Sequence, residues 1–340
     1  PEVTHTKCGK KIFENFVFGV CKAKKDWSMQ DFIERTVVSI KEQANGRRAV
    51  LGLSGGVDSS TVAALVGQAL GKNLTAVFVD TGFMRKRESE FIKESFGKQD
   101  IDLKMIDAKK RFYSAMKGVE DPEKKRKIIG KMFIDVFNEE AKKAGAKILV
   151  QGTIYPDRIE SGATKNSTVI KSHHNVGGLP KDMKLELMEP LQDLYKDEVR
   201  KVAETIGMPK ELAWRHPFPG PGLAVRILGE CAPDYVRILQ DADYILLDEL
   251  KKSGWYDKIW QAFAVLLPVK SVGVQGDARS YKSVIALRMV NSVDGMTADF
   301  SKVPHEVLEV ISSRITNEVK EVGRVVYDIT NKPPGTIEWE

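Results

Sequence analysis

Short apolar runs alternate with longer amphipathic stretches along the first two thirds of the chain. The runs are typical of buried strands, which we predict at Ala49 to Ser54, Leu74 to Asp80, Ile101 to Asp107 and Lys147 to Thr153. Helical spacing predicts helices at Trp27 to Gln43, Ser59 to Leu70, Glu123 to Lys143 and Tyr195 to Ile206. Alternating strands and helices imply an α/β fold, a doubly wound parallel sheet whose ligands bind at the carboxyl ends of the strands.

The pattern changes after a segment dense in proline and glycine, RHPFPGPGLAVR, at Arg215 to Arg226. Two further helices, Asp234 to Lys252 and His305 to Val319, and the apolar segments SVIALRMV and RVVYDIT predict a smaller α+β domain. Its strands are expected to form one sheet with an edge available for pairing. We therefore predict three parts: a leading segment over 1–26, an α/β domain over 27–217 and the smaller domain over 218–340.

Composition indicates a soluble globular protein, with 42% hydrophobic and 29% charged residues. No apolar run approaches the roughly 20 residues of a membrane span, and the first residues lack the apolar core of a signal peptide. The three cysteines, Cys8, Cys21 and Cys231, form no CxxC pair. Their spacing argues against a zinc site or a disulfide framework and indicates the reducing cytoplasm.

Positive charge is concentrated in one segment. Between Arg85 and Lys131 there are 15 Lys or Arg against 9 Asp or Glu, which accounts for the whole net charge of +6. Such an excess suits phosphate-rich ligands, either nucleotides or nucleic acid. A solvated helical face is the alternative interpretation.

The segment LSGGVDSS, Leu53 to Ser60, joins a predicted strand to a predicted helix. Two glycines let the backbone turn tightly and approach an anion, while hydroxyls and the first amides of the helix supply donors. The loop has no lysine and is not a Walker A motif, and a carboxylate at Asp58 suits a bridging magnesium ion. A capped strand-to-helix turn is the structural alternative. The predicted pyrophosphate site comprises Ser54, Gly55, Gly56, Val57, Asp58, Ser59 and Ser60.

This loop resembles the pyrophosphate loop of the N-type ATP pyrophosphatases. Other segments resemble GMP synthetases, namely DTGFMRKRE, DPEKKRKIIGKMF, QGTIYPDRIES, KSHHNVGGLP, HPFPGPGLAVR, VGVQGDARSY and KPPGTIEWE. The resemblance implies the adenine nucleotide alpha hydrolase-like fold followed by a dimerisation domain. It also implies the reaction XMP + ATP + NH3 → GMP + AMP + pyrophosphate, with Mg²⁺ accompanying ATP.

The resemblance assigns roles to particular residues. Backbone at Leu51, Phe78 and Val79 is expected to hold adenine, although all three also read as core strand residues. The candidate catalytic residues are Asp58, Asp157 and Lys171, with Asp157 either a magnesium ligand, a base or a turn-capping residue. The expected lid residues are Asp121, Glu123, Lys125 and Lys127. The expected XMP-binding residues are Pro219, Gly220, Pro221, Arg226, Gln275, Lys332, Thr336, Ile337 and Glu338.

Two histidines, His173 and His174, are candidates for substrate contact. A zinc site is disfavoured there because adjacent residues in an extended segment point to opposite sides. Within the same loop superfamily, a tRNA-modifying thiolase is the alternative enzyme, and a nucleic-acid binding module is the alternative from another class. Widely spaced cysteines argue against the first, and the phosphate loop argues against the second.

The first residues, PEVTHT, resemble the end of a class I glutamine amidotransferase domain, where a catalytic histidine precedes Pro-Glu. Glu2 would then be the third member of that triad. We expect a fragment of a longer enzyme that uses free ammonia, with a natural separate subunit as the alternative. An amidotransferase domain or subunit, ATP, XMP, ammonia and a second copy of the chain are the expected partners.

Overall fold

The computed structural model describes residues 6–160, 185–275, 278–293 and 295–340. Strands β1 to β5 comprise Ala49–Gly52, Leu74–Asp80, Asp102–Asp107, Ile148–Val150 and Glu186–Met188. Helices α1 to α9 comprise Gly9–Glu14, Met29–Ala44, Val57–Leu70, Glu88–Phe96, Lys109–Met116, Pro122–Ala144, Tyr155–Glu160, Lys196–Thr205 and Lys210–Ala213. A π-helical turn, Asn15–Val20, follows α1.

The first sheet has the strand order β3-β2-β1-β4-β5, and each neighbouring pair is parallel. This confirms the predicted α/β fold. The sequence did not predict β5, because its three residues, Glu186–Met188, are too few to display an alternating pattern. The strand order reverses between β1 and β4, and ligands of such sheets bind outside the carboxyl ends of the strands at that point.

Helices cover both faces of the parallel sheet, and the period-2 alternation of strand side chains explains how. Leu51 and Phe78 belong to a cluster that packs on α2, α3, α4 and α8. Val50 and Val79 point to the opposite face and join a cluster formed with α5 and α6. All four side chains are at most 3% exposed. The sheet is therefore buried on both sides, as the near-continuous apolar runs predicted.

Helix α6 illustrates how local sequence sets element boundaries. Asp121 is its N-cap, accepting a hydrogen bond from the Lys124 amide at 2.8 Å, and Pro122 occupies the first helical position. The helix ends at Gly145, which adopts the left-handed conformation at φ +64°. These signals reproduce the predicted long helix to within a residue at either end.

The second sheet is built from strands β6 to β9, Gln261–Gln275, Ala278–Asn291, Asp299–Phe300 and Val322–Asp328. Strand β7 pairs antiparallel with β6 and β8 and parallel with β9, so the predicted single sheet is confirmed. Helices α10, Pro233–Lys252, and α11, His305–Glu318, complete this part. Helix α10 packs mainly against β6 and α11.

One hydrophobic cluster runs from the α5 and α6 side of the first sheet to α10 and the second sheet. The two parts therefore share buried surface, and a division of the chain at residues 217 and 218 remains a prediction. Within the described ranges, every helix is too short or too polar to cross a bilayer.

Candidate active site

The phosphate loop begins directly after β1 and ends in the first turn of α3. Gly55 has φ +77°, a conformation that favours glycine, and Gly56 is the helix N-cap. The Ser54 hydroxyl accepts a hydrogen bond from the Gly56 amide at 3.3 Å and lies 2.9 Å from the Ser59 hydroxyl. Ser59 donates to the Gly56 carbonyl at 3.2 Å. These hydrogen bonds fix the conformation of the turn at the positive end of a helix, a geometry that binds anions.

The loop residues differ in what they can offer a ligand. Ser54 and Gly56 are exposed, and Asp58 and Ser59 are half-buried. Val57 and Ser60 are buried, and the Ser60 hydroxyl oxygen has no hydrogen-bond partner among the described residues. Gly152, which follows β4, approaches the helix so closely that a Cβ there would lie 3.3 Å from the Ser59 amide nitrogen. The end of a second strand thus closes one side of the loop.

Asp58 combines a cationic partner with an unsatisfied oxygen. Its Oδ2 lies 2.5 Å from the ammonium of Lys196, the first residue of α8. Its Oδ1 is buried and has no hydrogen-bond partner among the described residues. An orphaned carboxylate oxygen beside a phosphate loop fits Mg²⁺, which proteins commonly bind through one or two carboxylates together with substrate phosphates. In the ranges the structure describes, no group of three or more His, Cys, Asp or Glu is arranged to hold a metal, so the nucleotide would supply the remaining ligands.

The expected adenine-binding positions lie on the two central strands. Leu51, Phe78 and Val79 are 2%, 1% and 3% exposed, and their side chains belong to the hydrophobic core. Only their backbone is available to a ligand, which agrees with the role expected from the resemblance without testing it. Strand β1 continues its pairing one residue beyond the strand, because the Leu53 amide donates to the Val77 carbonyl at 2.8 Å.

Of the other candidate catalytic residues, the structure describes Asp157 alone. Its Oδ2 accepts a hydrogen bond from the Ile154 amide at 3.1 Å, which is the turn-capping arrangement considered as an alternative. Lys171, His173 and His174 lie outside the described residues, as does Glu2.

The residues predicted to form a lid lie in the N-cap and first turns of α6, and one of them is placed very differently from that expectation. Lys125 is fully buried. Its ammonium donates to the Ala224 and Ile227 carbonyls at 3.2 and 2.6 Å and to Glu340 Oε2 at 2.5 Å. Asp121 and Lys127 are exposed, and Glu123 pairs with Arg126 at 2.7 Å. The structure therefore gives Lys125 the position of an anchor in the interior.

Two of the residues predicted to bind XMP, Arg226 and Glu338, meet at the junction of the two parts, whereas Gln275 is the last residue of β6, where it pairs with Ala278. Arg226 is fully buried and makes a bidentate ion pair with Glu338 at 2.9 and 2.8 Å. Gln261 donates to the same carboxylate at 2.9 Å. The Arg226 guanidinium also lies 3.9 Å from the ring centroid of Phe263. This pair therefore fixes the position of Glu338, which is itself half-buried.

Neighbouring segments complete this region. The Leu223 amide donates to the Phe83 carbonyl at 2.7 Å, which docks the turn at Pro219, Gly220 and Pro221 on the loop after β2. Arg288, fully buried, donates to the carbonyls of Thr330, Thr336 and Ile337. The ammonium of Lys332 donates to the Gly295 carbonyl at 2.8 Å. The side chain of Gln275 lies outside the described part of the chain.

Several residues of this region were not predicted from the sequence. Lys196 pairs with Asp58, while Arg215 and Glu88 form a buried ion pair against Gly55. Arg215 begins the segment RHPFPGPGLAVR, and Glu88 ends the segment DTGFMRKRE. Both residues therefore lie in segments that the sequence analysis had singled out. Their pairing could not be predicted, because 127 positions separate them.

The fold and the loop define the class: an ATP-using enzyme with the NAD synthetase-like α/β fold, since residues 28–157 match the family model described as NAD synthase. Residues 248–339 match the model described as GMP synthase C terminal domain. The chain is 59% identical over 342 aligned positions to a glutamine-hydrolyzing GMP synthase from Thermotoga petrophila, covering 100% of this chain and 68% of that protein. It belongs to the GMP synthase family, which confirms the resemblance found in the sequence.

A second relative agrees with this membership. A glutamine-hydrolyzing GMP synthase from Carboxydothermus hydrogenoformans is 57% identical over 342 positions, covering 100% of this chain and 67% of that protein. Among solved structures, an NH3-dependent NAD synthetase from Campylobacter jejuni matches 55% of this chain and 77% of its own, with 19% identity and a TM-score of 0.42.

Proposed function

We propose that this chain carries out the ATP-dependent step of GMP synthesis, XMP + ATP + NH3 → GMP + AMP + pyrophosphate. It is a ligase that forms a C–N bond. The observation that carries the proposal is the phosphate loop at the carboxyl end of β1, in a chain that belongs to the GMP synthase family along its whole length.

The chemistry replaces a poor leaving group with a good one. The C2 oxygen of XMP attacks the α-phosphorus of ATP, and the bond from that phosphorus to the bridging oxygen breaks to release pyrophosphate. Ammonia then attacks C2, loses a proton, and AMP departs with the former carbonyl oxygen. The protein's main tasks are to hold the reactants in line and to neutralise phosphate charge.

We assign the diphosphate to the loop from Ser54 to Ser60, where Ser54 and Gly56 are exposed at the positive end of α3, a position that suits phosphate oxygens. Lys196 forms an ion pair with Asp58 and so places a further positive charge at the loop. Asp58 Oδ1 is the oxygen proposed to hold Mg²⁺, which would neutralise negative charge on the phosphates when bound with the nucleotide.

We assign XMP to the region around Arg226, Glu338 and the Pro219–Pro221 turn. Support comes from the buried Arg226–Glu338 pair, which fixes the carboxylate where it can accept hydrogen bonds from a purine. Lys332 and the backbone of Thr336 and Ile337 are the proposed contacts to the XMP phosphate and ribose side.

Three further features belong to this proposal. The named relatives are glutamine-hydrolyzing and longer than this chain, so an amidotransferase domain is the proposed source of ammonia. Exposed apolar side chains on β6 and β7, at Val272, Val274 and Tyr281, support a homodimer through the second sheet. Three free thiols support a cytoplasmic location.

A steady-state assay tests the function. The purified chain is given XMP, ATP, magnesium and an ammonium salt, and pyrophosphate and GMP are measured separately. We expect equal amounts of the two products and none when XMP is omitted. Glutamine replaces ammonium in a parallel series. Pyrophosphate release that required tRNA in place of XMP would reject the proposal in favour of a tRNA-modifying enzyme.

A further inference from the structure

The carbonyl of Gly55, in the centre of the phosphate loop, accepts a hydrogen bond from a mostly buried arginine. Arg215 Nη1 donates to the Gly55 oxygen at 2.8 Å and to Glu88 Oε1 at 2.7 Å. Arg215 Nη2 donates to Glu88 Oε2 at 2.6 Å. The side chains of Arg215 and Glu88 are 15% and 7% exposed. A single guanidinium is therefore shared between the loop backbone and a bidentate carboxylate, the strongest kind of side-chain hydrogen bonding.

This contact fixes both the place and the direction of the guanidinium. Its carbon lies 5.1 Å from the ring centroid of Phe91, a second constraint on its plane. Space around the contact is tight, because a Cβ on Gly55 would lie 2.8 Å from Glu88 Oε1 and 3.2 Å from Arg215 Nη1. A side chain at position 55 would collide with the pair, and the hydrogen bond joins the Gly55 carbonyl to Arg215.

The position of Arg215 is set in turn by the second part of the protein. The next residue, His216, is buried and stacks on Tyr256, with ring centroids 3.9 Å apart. His216 Nδ1 accepts a hydrogen bond from the Ala262 amide of β6 at 3.1 Å, and Nε2 lies 3.0 Å from the Tyr256 carbonyl. The chain then continues into the Pro219–Pro221 turn. Arg215 thus links the phosphate loop to the region assigned to XMP.

We propose that Arg215 is a positioning residue: held by Glu88, it fixes the Gly55 carbonyl and so sets the phosphate loop at the distance and angle at which it receives the nucleotide diphosphate. This inference rests on the proposed function of the loop. It assigns no direct contact between Arg215 and substrate. Its effect on the nucleotide is transmitted through the loop backbone.

Direct binding measurements separate this role from a purely structural one. The variants are Arg215→Met, Arg215→Lys and Glu88→Gln, with Arg237→Met as the control, since Arg237 makes an exposed ion pair with Glu321 at 2.5 Å. Calorimetry gives the Kd of the magnesium complex of a non-hydrolysable ATP analogue and the Kd of AMP. Thermal melting reports the fold of each variant.

We expect Arg215→Met to weaken binding of the triphosphate analogue by about 10- to 100-fold. The Kd of AMP should stay within a factor of about two, because AMP lacks the phosphates that the loop holds. Arg215→Lys should be intermediate, since one ammonium cannot form the fork. Glu88→Gln keeps the Arg215 donor to Gly55. We therefore expect this variant to have a lower melting temperature but a Kd for the analogue close to that of the unsubstituted protein. Arg237→Met should change neither quantity.

The inference is overturned if the Kd of the analogue rises in step with the fall in melting temperature in both Arg215→Lys and Glu88→Gln. It is also overturned if the Kd of AMP rises together with that of the analogue. Either result would show that the Arg215–Glu88 pair has a structural role only. This comparison uses the two mild variants and stands even if Arg215→Met does not fold. If the unsubstituted protein fails to bind the analogue, the proposed function of the loop fails first.

Discussion

Replacing Lys125 with methionine tests whether the start of α6 is an interior anchor or a solvated lid. The side chain is fully buried, and its partner Glu340 is 8% exposed. Methionine retains the volume but removes the donors to two carbonyls and to the carboxylate. Removing one partner of a buried ion pair costs about 3–5 kcal/mol. At about 2 °C per kcal/mol for a large domain, the melting temperature should fall by about 6–10 °C.

The matched control lies on the same helix. Lys143 pairs with Glu140 at 2.6 Å, nearly the distance of the Lys125 pair, but its side chain is 70% exposed. We expect Lys143→Met to leave the melting temperature unchanged within error, because water replaces such a pair. Calorimetry of the three proteins in parallel provides the comparison. Equal melting temperatures for Lys125→Met and the parent protein would refute the interpretation of Lys125 as an interior anchor. They would favour the interpretation of Lys125 as a residue of a solvated lid.

Three further predictions concern the two proposed binding regions and one buried histidine. Asp58→Ala should reduce XMP-dependent pyrophosphate release at least about 100-fold with little change in melting temperature, while Asp257→Ala, in the exposed pair with Lys210, should leave the rate unchanged; parental turnover in Asp58→Ala would remove that residue from the mechanism. Glu338→Gln should raise the KM for XMP about tenfold and the KM for ATP much less, and equal changes in both would contradict the assignment. Desolvation lowers the pKa of His216 from 6.5 to about 4, so between these pH values the unfolded chain binds a proton that the folded state excludes. Stability should fall as pH drops through that window, and His216→Gln should flatten the slope of melting temperature against pH; an unchanged slope would place the proton elsewhere.

Local sequence patterns predicted most of the fold. Strand β2 has the predicted bounds, Leu74–Asp80, because its apolar run is bounded by turn residues on both sides. The phosphate loop was also predictable, since glycines, hydroxyls and a helix start are adjacent in sequence. Both signals involve only near neighbours. What they cannot specify is which distant side chain completes the site.

Long-range pairing explains what the sequence left undetermined. Lys125 and Glu340 are 215 positions apart, and Asp58 and Lys196 are 138 apart. Lys125 stands in a run of basic residues, which favours a solvated helical face. A weak signal did exist: Ile129, one helical turn later, is buried on the same face. Periodicity could have indicated that this face is covered, but not that a carboxylate and two carbonyls cover the lysine.

The segment from residue 215 to residue 226 is fastened by charges where hydrophobic packing would serve stability equally well. Buried ion pairs are weak contributors to stability, because the desolvation of both charges offsets their attraction. They do fix distance and orientation, and transfer between two bound substrates requires reacting atoms about 3–3.5 Å apart and aligned. Phe218 in this segment contacts two guanidinium groups, those of Arg85 and Arg226, at 4.8 and 5.2 Å from its ring centroid. Two ion pairs hold residues of this segment, Arg215 with Glu88 and Arg226 with Glu338. A third pair, Arg85 with Asp243, contacts the segment through Phe218. This segment connects the phosphate loop to the proposed purine site, and a fixed relation between the two is where rigid, directional contacts outweigh their cost in solvation.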